Sequence, residues 1–209
     1  MTNFYTSDLH LNHVRLIESK FRGFVDETYM NFKILDNINK RVKRSDTLFI
    51  LGDLCMTNKL NDAYLEMWLK EIECYNIVVI RGNHDNVNTL QRLKDEHIIR
   101  NWHQFKTVKD TAFGIECNLA LFHHPVIDYH TSQHCCACLH GHSHGMLKNA
   151  PPDLFDVGLD VFDFKPVTFE EILAKYYGHH PNPYIGYIDY VRQWKTAYKE
   201  FWEKQDEQR

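Results

Sequence analysis

The residues best suited to chemistry in this chain are carboxylates and imidazoles that stand immediately after short apolar runs. Asp8 and His10 follow the run 4–7, Asp53 follows 47–51, and Asn83 and His84 follow 77–80. His123 follows 119–122, and His142 and His144 come just after a run at 135–140. Histidine is in excess, with 14 in all and 7 of them between His123 and His144, a first sign of metal. Carboxylate, imidazole and one amide oxygen together suit first-row divalent ions such as manganese, iron or zinc. A structural zinc site would more often use cysteine. The seven candidate ligands Asp8, His10, Asp53, Asn83, His123, His142 and His144 are too many for one ion. They match two ions sharing a carboxylate, ~3.5–4 Å apart, which clamp the attacking and leaving oxygens of an in-line displacement.

Such residues act together only if the fold gathers them. The runs 4–7, 47–51 and 77–80 lack polar alternation, which implies strands covered on both faces in a layered α/β domain. In such folds ligands bind at the carboxyl ends of strands, so groups far apart in sequence can converge. Gly52 and Gly82 each precede a candidate and permit the sharp turn needed there. A helix is expected from Asp26, its N-cap, to Val42, because Met30, Ile34, Leu35, Ile38 and Val42 recur at helical spacing. Tyr64, Leu65, Trp68, Leu69 and Ile72 mark a second helix face. A hairpin around Gly114, two strands near 135–140 and 154–157, and helices near 169–177 and 187–203 complete the reading. Singly, each candidate is more simply a polar residue closing a strand; five such places in register are a different matter.

Composition bounds the rest. The 209 residues suffice for one well-buried domain, and 44% hydrophobic with 25% charged residues is ordinary for a globular chain. No apolar run approaches the roughly 20 residues of a membrane span. The N-terminus lacks the basic-then-apolar pattern of a signal peptide. With six cysteines in no regular framework, reduced thiols and a cytoplasmic setting are expected. A net charge of −4 argues against a sequence-independent grip on nucleic acid, though not against a nucleotide as small substrate.

These blocks resemble the calcineurin-like metallophosphoesterases. The family signature is Asp-x-His, Gly-Asp, Gly-Asn-His-Asp/Glu, a lone His, and Gly-His-x-His. Here it reads Asp8-Leu9-His10, Gly52-Asp53, Gly82-Asn83-His84-Asp85, His123, and Gly141-His142-Ser143-His144. The opening 4–10, Asp46-Thr47, Val157-Gly158 and Pro166 resemble a small bacterial and phage-type branch, and the likeness spans roughly residues 1–175. The resemblance implies two packed mixed β-sheets flanked by helices in four layers; 176–209, beyond it, reads as a helical extension of the same domain. It implies one divalent ion on Asp8, His10 and His144, another on Asn83, His123 and His142, and Asp53 bridging them. His84 would protonate the leaving alcohol or assist the phosphoryl group, while Asp85 orients or charges its ring. The expected reaction is hydrolysis of a small phosphate ester, such as a nucleotide, by a hydroxide the two metals activate. The alternatives are a nuclease, or a binding protein of the same fold.

The sequence departs from that pattern at three places. His123-His124-Pro125 leaves two histidines for one position, and the usual His-x-Pro favours His123. Asn12-His13 stands where Gly-His is usual, leaving His13 as either a donor to substrate phosphate or a surface residue. Arg22-Gly23-Phe24 replaces Arg-Pro-Phe, which removes a constraint on the loop, so Arg22 is given no role. Among other features, Cys135-Cys136-Ala137-Cys138 lacks the separated pairs of a zinc knuckle. Lys40 to Arg44 is more simply a charged helix end than a nucleic-acid patch. The aromatic tail with Trp194, Tyr198, Phe201 and Trp202 is expected to dock on the domain or on a second subunit as a homodimer.

Overall fold

The computed structural model describes residues 1–56, 59–127 and 135–177. Four strands form the first sheet: β1 (Asn3–Thr6), β2 (Thr47–Ile50), β3 (Asn76–Ile80) and β4 (Asn101–His103), in that order and all parallel. An antiparallel bridge from Tyr5 to Val167 closes its β1 edge. The second sheet holds β5 (Lys106–Ala112), β6 (Ile115–Leu121), β7 (Ala137–His140) and β8 (Leu154–Asp156). Here β5 and β6 are an antiparallel hairpin turning at Gly114, and β6, β7 and β8 run parallel.

Strand periodicity sorts the core into two layers. Phe4, Leu48, Ile50, Ile77 and Val79 face the helices, while Tyr5, Phe49, Leu51, Val78 and Ile80 face the second sheet. The second sheet answers with Leu119, Leu121, Ala137, Leu139 and Phe155. The outer face of the first sheet is covered by α2 (Glu27–Arg41), α3 (Lys59–Lys70) and α4 (Val87–Asp95), which contribute Ile34, Ile38, Leu65, Leu69, Leu90 and Leu93. A fifth helix, α5 (Phe169–Tyr177), adds Phe169, Ile172 and Leu173 to the inter-sheet core. The outer face of the second sheet carries the small cluster Ala120, Cys135, Cys138 and Leu154. The helix expected at 187–203 and the aromatic tail lie outside the described residues.

The anticipated helix is capped as its sequence required. Asp26 accepts from Tyr29 N at 2.7 Å, Glu27 lies in the first turn and Lys40 and Arg41 in the last, which matches the helix dipole at both ends. Three elements carry too little periodicity to be read in advance. The short α1 (Val14–Glu18) buries no residue. In α4 only Leu90 and Leu93 reach the core among hydrophobics, and β4 has three residues, none fully buried. Asn86, accepting from Asn88 N and Thr89 N, was the one local sign of α4. No described helix is long and apolar enough to cross a membrane.

Ile38 is wholly buried, so Ile38→Ala should cost about 2–5 kcal/mol. Loss of the exposed cap in Asp26→Ala should cost only about 1 kcal/mol. Urea denaturation measures both, and a cap loss exceeding the core loss would contradict the packing described.

Candidate metal centre

Parallel strands put their carboxyl ends on one edge, and here both sheets do so side by side. Asp8 and His10 leave β1, Asp53 leaves β2, and Asn83 and His84 leave β3; His123 leaves β6, and His142 and His144 leave β7. The two edges are stitched together. Ser7 bridges to Gly158 and the His123 ring reaches the Leu51 carbonyl at 2.7 Å, while within each sheet the Ser7 hydroxyl donates to that carbonyl at 2.7 Å and Gly141 N to the His123 carbonyl at 2.9 Å. Gly52, at φ +93°, lets the chain turn where a Cβ would sit 2.5 Å from His123 Nδ1.

All seven sequence-derived ligand candidates come together, and His84 with them. Asp53 Oδ2 is central: it lies 3.4 Å from His123 Nε2, 3.7 Å from His10 Nε2 and 3.9 Å from His84 Nε2. Asp8 Oδ1 lies 3.9 Å from both His10 Nε2 and His144 Nε2. Asn83 Oδ1 is 2.9 Å from His123 Nε2. The His142 amide donates to both Asp8 oxygens, at 3.1 and 3.0 Å, and the His84 amide donates to Asp53 Oδ1 at 2.9 Å. The His142 ring sits 5.2 Å from that of His123. Asp8, His10, Asp53 and His123 are buried, His84 and His144 half-buried, and Asn83 and His142 exposed.

The ring orientations are fixed from behind. His123 Nδ1 meets the Leu51 carbonyl at 2.7 Å and His144 Nδ1 meets Asp160 Oδ2 at 2.6 Å, so both rings turn Nε2 inward. His123 rather than His124 thus faces Asp53. His124 stays exposed, its ring 4.3 Å from that of His142 and its donor atoms within reach of both neighbours. His13 also joins the site, half-buried and with its ring 5.1 Å from His10.

The donor set fits a cation. Both ring nitrogens of His10 are buried without a hydrogen-bond partner, which is costly for a polar group. His123 Nε2 faces two oxygen acceptors, so it must hold a proton where a metal ion would otherwise accept three lone pairs. Burial pushes the Asp8 carboxyl up to about 6 and the His10 imidazole down to about 3. Burial also opposes charge on Asp53, but hydrogen bonds from His123 and the His84 amide outweigh it and hold that carboxyl at about 2. Two trios of donors each lie within 4.8 Å of one another around Asp8: His10 with His144, and Asp53 with His123.

One expectation changes. Asp85 does not orient His84; its carboxylate accepts from the amides of Asp53, Leu54 and Gly82 at 2.8–3.0 Å, tying two turns together. The carboxylate beside the His84 ring is that of Asp53. Arg22, left without a role above, is wholly buried and donates to both Asp160 oxygens at 2.8 Å and to the Leu9 and Asp8 carbonyls at 2.9 and 2.7 Å. Asp160 itself was missed, although it follows β8 much as Asp8 follows β1. The cysteines stand apart: none of the six belongs to a potential metal cluster among the described residues. Of the basic run, Lys40 pairs with Asp36, Arg41 with Glu171 and Arg44 with Glu73.

A family model described as calcineurin-like phosphoesterase matches residues 4–198. The chain belongs to that family. Calcineurin-like phosphoesterases are metal-dependent phosphoester hydrolases, and this chain has the residues to hold a metal. It is 27% identical over 173 residues to the uncharacterized protein MJ1445 of Methanocaldococcus jannaschii, covering 80% of this chain and 86% of that one. It is 26% identical over 139 residues to the Gene 66 protein of Mycobacterium phage L5, covering 62% and 66%. In fold it is similar to the crystal structure of AQ665 of Aquifex aeolicus, a protein of unknown function. That likeness has a TM-score of 0.64 and 20% identity over 81% of this chain and 96% of that one.

Asp160→Asn strips Arg22 of its buried counter-ion and leaves one oxygen where Arg22 and His144 now share two, and should cost about 3 kcal/mol or more. Burial opposes the Asp160 charge, yet His144 and Arg22 hold the carboxyl at about 2, below its ordinary 3.8. Its stabilisation is therefore full above about pH 4 and is lost as pH falls toward 2. Urea titrations of chelator-treated protein should show wild type and Asp160→Asn converging across that window.

Proposed function

We propose that this phosphoesterase binds two divalent ions and hydrolyses small phosphate esters, nucleotides among them. The observation that carries the reading is the convergence of two donor sets on one carboxylate oxygen, Asp53 Oδ2. Asp8, His10 and His144 would hold one ion, Asn83, His123 and His142 the other, and Asp53 both. Manganese, iron or zinc suits these donors. Such ions supply Lewis-acid charge and make water nucleophilic near neutral pH.

The residues of the chain do the rest. The His142 amide bonds Asp8 and the His84 amide bonds Asp53, which fixes both carboxylates with lone pairs facing inward. Leu51 and Asp160 hold His123 and His144 in the tautomer that presents Nε2. His84, 3.9 Å from Asp53 Oδ2 and partly open to solvent, stands where a substrate oxygen would arrive. There it delivers a proton to the departing alkoxide.

Protein purified without chelator should carry two divalent ions per chain by elemental analysis. Asp53→Asn should lose both ions and turnover together, whereas substitution of one terminal ligand costs one ion. Full activity with one ion or none would sink the two-metal reading. A screen of phosphate monoesters, diesters and single-stranded DNA with added manganese separates the small-ester reading from a nuclease.

His84→Gln should lower turnover by ~10²–10⁴ with both ions retained. The loss should shrink for nitrophenyl esters, whose leaving group needs less protonation. An equal loss for alkyl and nitrophenyl esters would assign His84 to phosphoryl binding instead.

A further inference from the structure

Beside Asn83 and His123 opens a cleft of about 480 Å³, lined also by Arg81, Phe105, Phe122 and Val126. That volume lies in the range of small-molecule sites. Its walls differ in chemistry. The Phe105 and Phe122 rings stack with centroids 4.8 Å apart and 23° from parallel, and both remain half-buried rather than enclosed. Arg81 is half-buried immediately before the Gly82-Asn83 turn. Its Nε donates to the Asp85 carbonyl at 3.2 Å, which orients the guanidinium while leaving the terminal nitrogens available. Arg22, Arg41 and Arg92 each have a carboxylate partner; among the described residues Arg81 has none.

An oriented guanidinium without a counter-ion, in a cleft that opens from the metal site, is complementary to an anion. Phenyl rings on the same cleft offer an apolar face to a planar ring. A simple phosphate monoester would use neither. We infer that the cleft is a subsite for the nucleoside and second phosphate of a nucleoside diphosphate or its ester. The scissile phosphate lies at Asp53, Arg81 meets the other phosphate, and the base packs on Phe105 and Phe122. This rests on the phosphoesterase reading above and names the substrate class of that same site.

Two measurements keep the two ideas separable. In hydrolysis of bis(p-nitrophenyl) phosphate by metal-loaded protein, adenosine diphosphate should compete about tenfold better than adenosine monophosphate. Arg81→Gln should reduce that ratio to about twofold or less, and Arg81→Lys should keep an intermediate ratio through its charge alone, which a purely structural role for Arg81 does not produce. In saturation-transfer NMR of chelator-treated protein, the adenine protons should receive saturation, and Phe122→Leu or Phe105→Leu should weaken it. Adenine saturation without any hydrolysis would remove the proposed function and leave the subsite standing. Hydrolysis with equal competition by both nucleotides, or a ratio that Arg81→Gln leaves intact, would overturn the subsite.

Discussion

Where the two sheets meet, the backbone at Gly141 passes so close to Ser7 and Asp8 that a Cβ there would collide with the Ser7 hydroxyl and the Asp8 carboxylate. That approach governs the rest of the site. It brings the strand ends of both sheets within reach of the same carboxylates, so amides from one sheet solvate acids of the other. His142 N on Asp8 is the direct instance. The chain adopts left-handed backbone to manage these turns at Asp8, His10, Asn12, Asp53, His142 and His144. Asp, Asn and His tolerate that region better than other non-glycine residues, but each such residue costs on the order of 1–3 kcal/mol. The cost is sustained by two well-filled cores on either side of the first sheet.

A second ring of groups holds the first in place. Arg22 reaches from the loop after α1 to the carbonyls of Leu9 and Asp8 and to Asp160, and Asp160 passes the constraint on to His144. Asp85 performs the corresponding task between the turns after β2 and β3. Asp156 does so beyond β7, accepting from Ser143 Oγ and the amides of Gly145 and Gly158. Each is a buried or half-buried charge whose lone pairs are spent on backbone or on a ligand's far side. The inward-facing set is different: His10 keeps two buried nitrogens without partners, and the Asp8 carboxyl is driven upward by burial. A cation relieves the Asp8 charge and takes up the inward His10 Nε2, which is why the arrangement reads as a metal centre rather than as a polar core.

Much of this was legible in the sequence because it rests on local rules. The runs at 47–51 and 77–80, which lack polar alternation, specify strands covered on both faces. The period of Met30, Ile34 and Ile38 with Asp26 ahead of it specifies a capped helix. The placement of Asp8, Asp53, Asn83, His123, His142 and His144 after strands specifies convergence, since parallel strands share one carboxyl edge. Weakly periodic elements escaped: α4 shows two core leucines among polar neighbours, and β4 is held by pairing to β3 rather than by its own residues.

The sequence by itself determined the residue types at the strand ends and the family to which they belong. It could not decide between His123 and His124, because both are adjacent in the chain and only the Leu51 carbonyl selects the ring that turns inward. Nor could it assign Arg22 or Asp160, which are 138 residues apart and acquire their role solely by meeting. The orientation of Asp85 toward backbone amides instead of His84 is of the same kind. Local pattern fixes which atoms a segment offers; which of them face one another depends on how closely two sheets approach, and that is a property of the packed core.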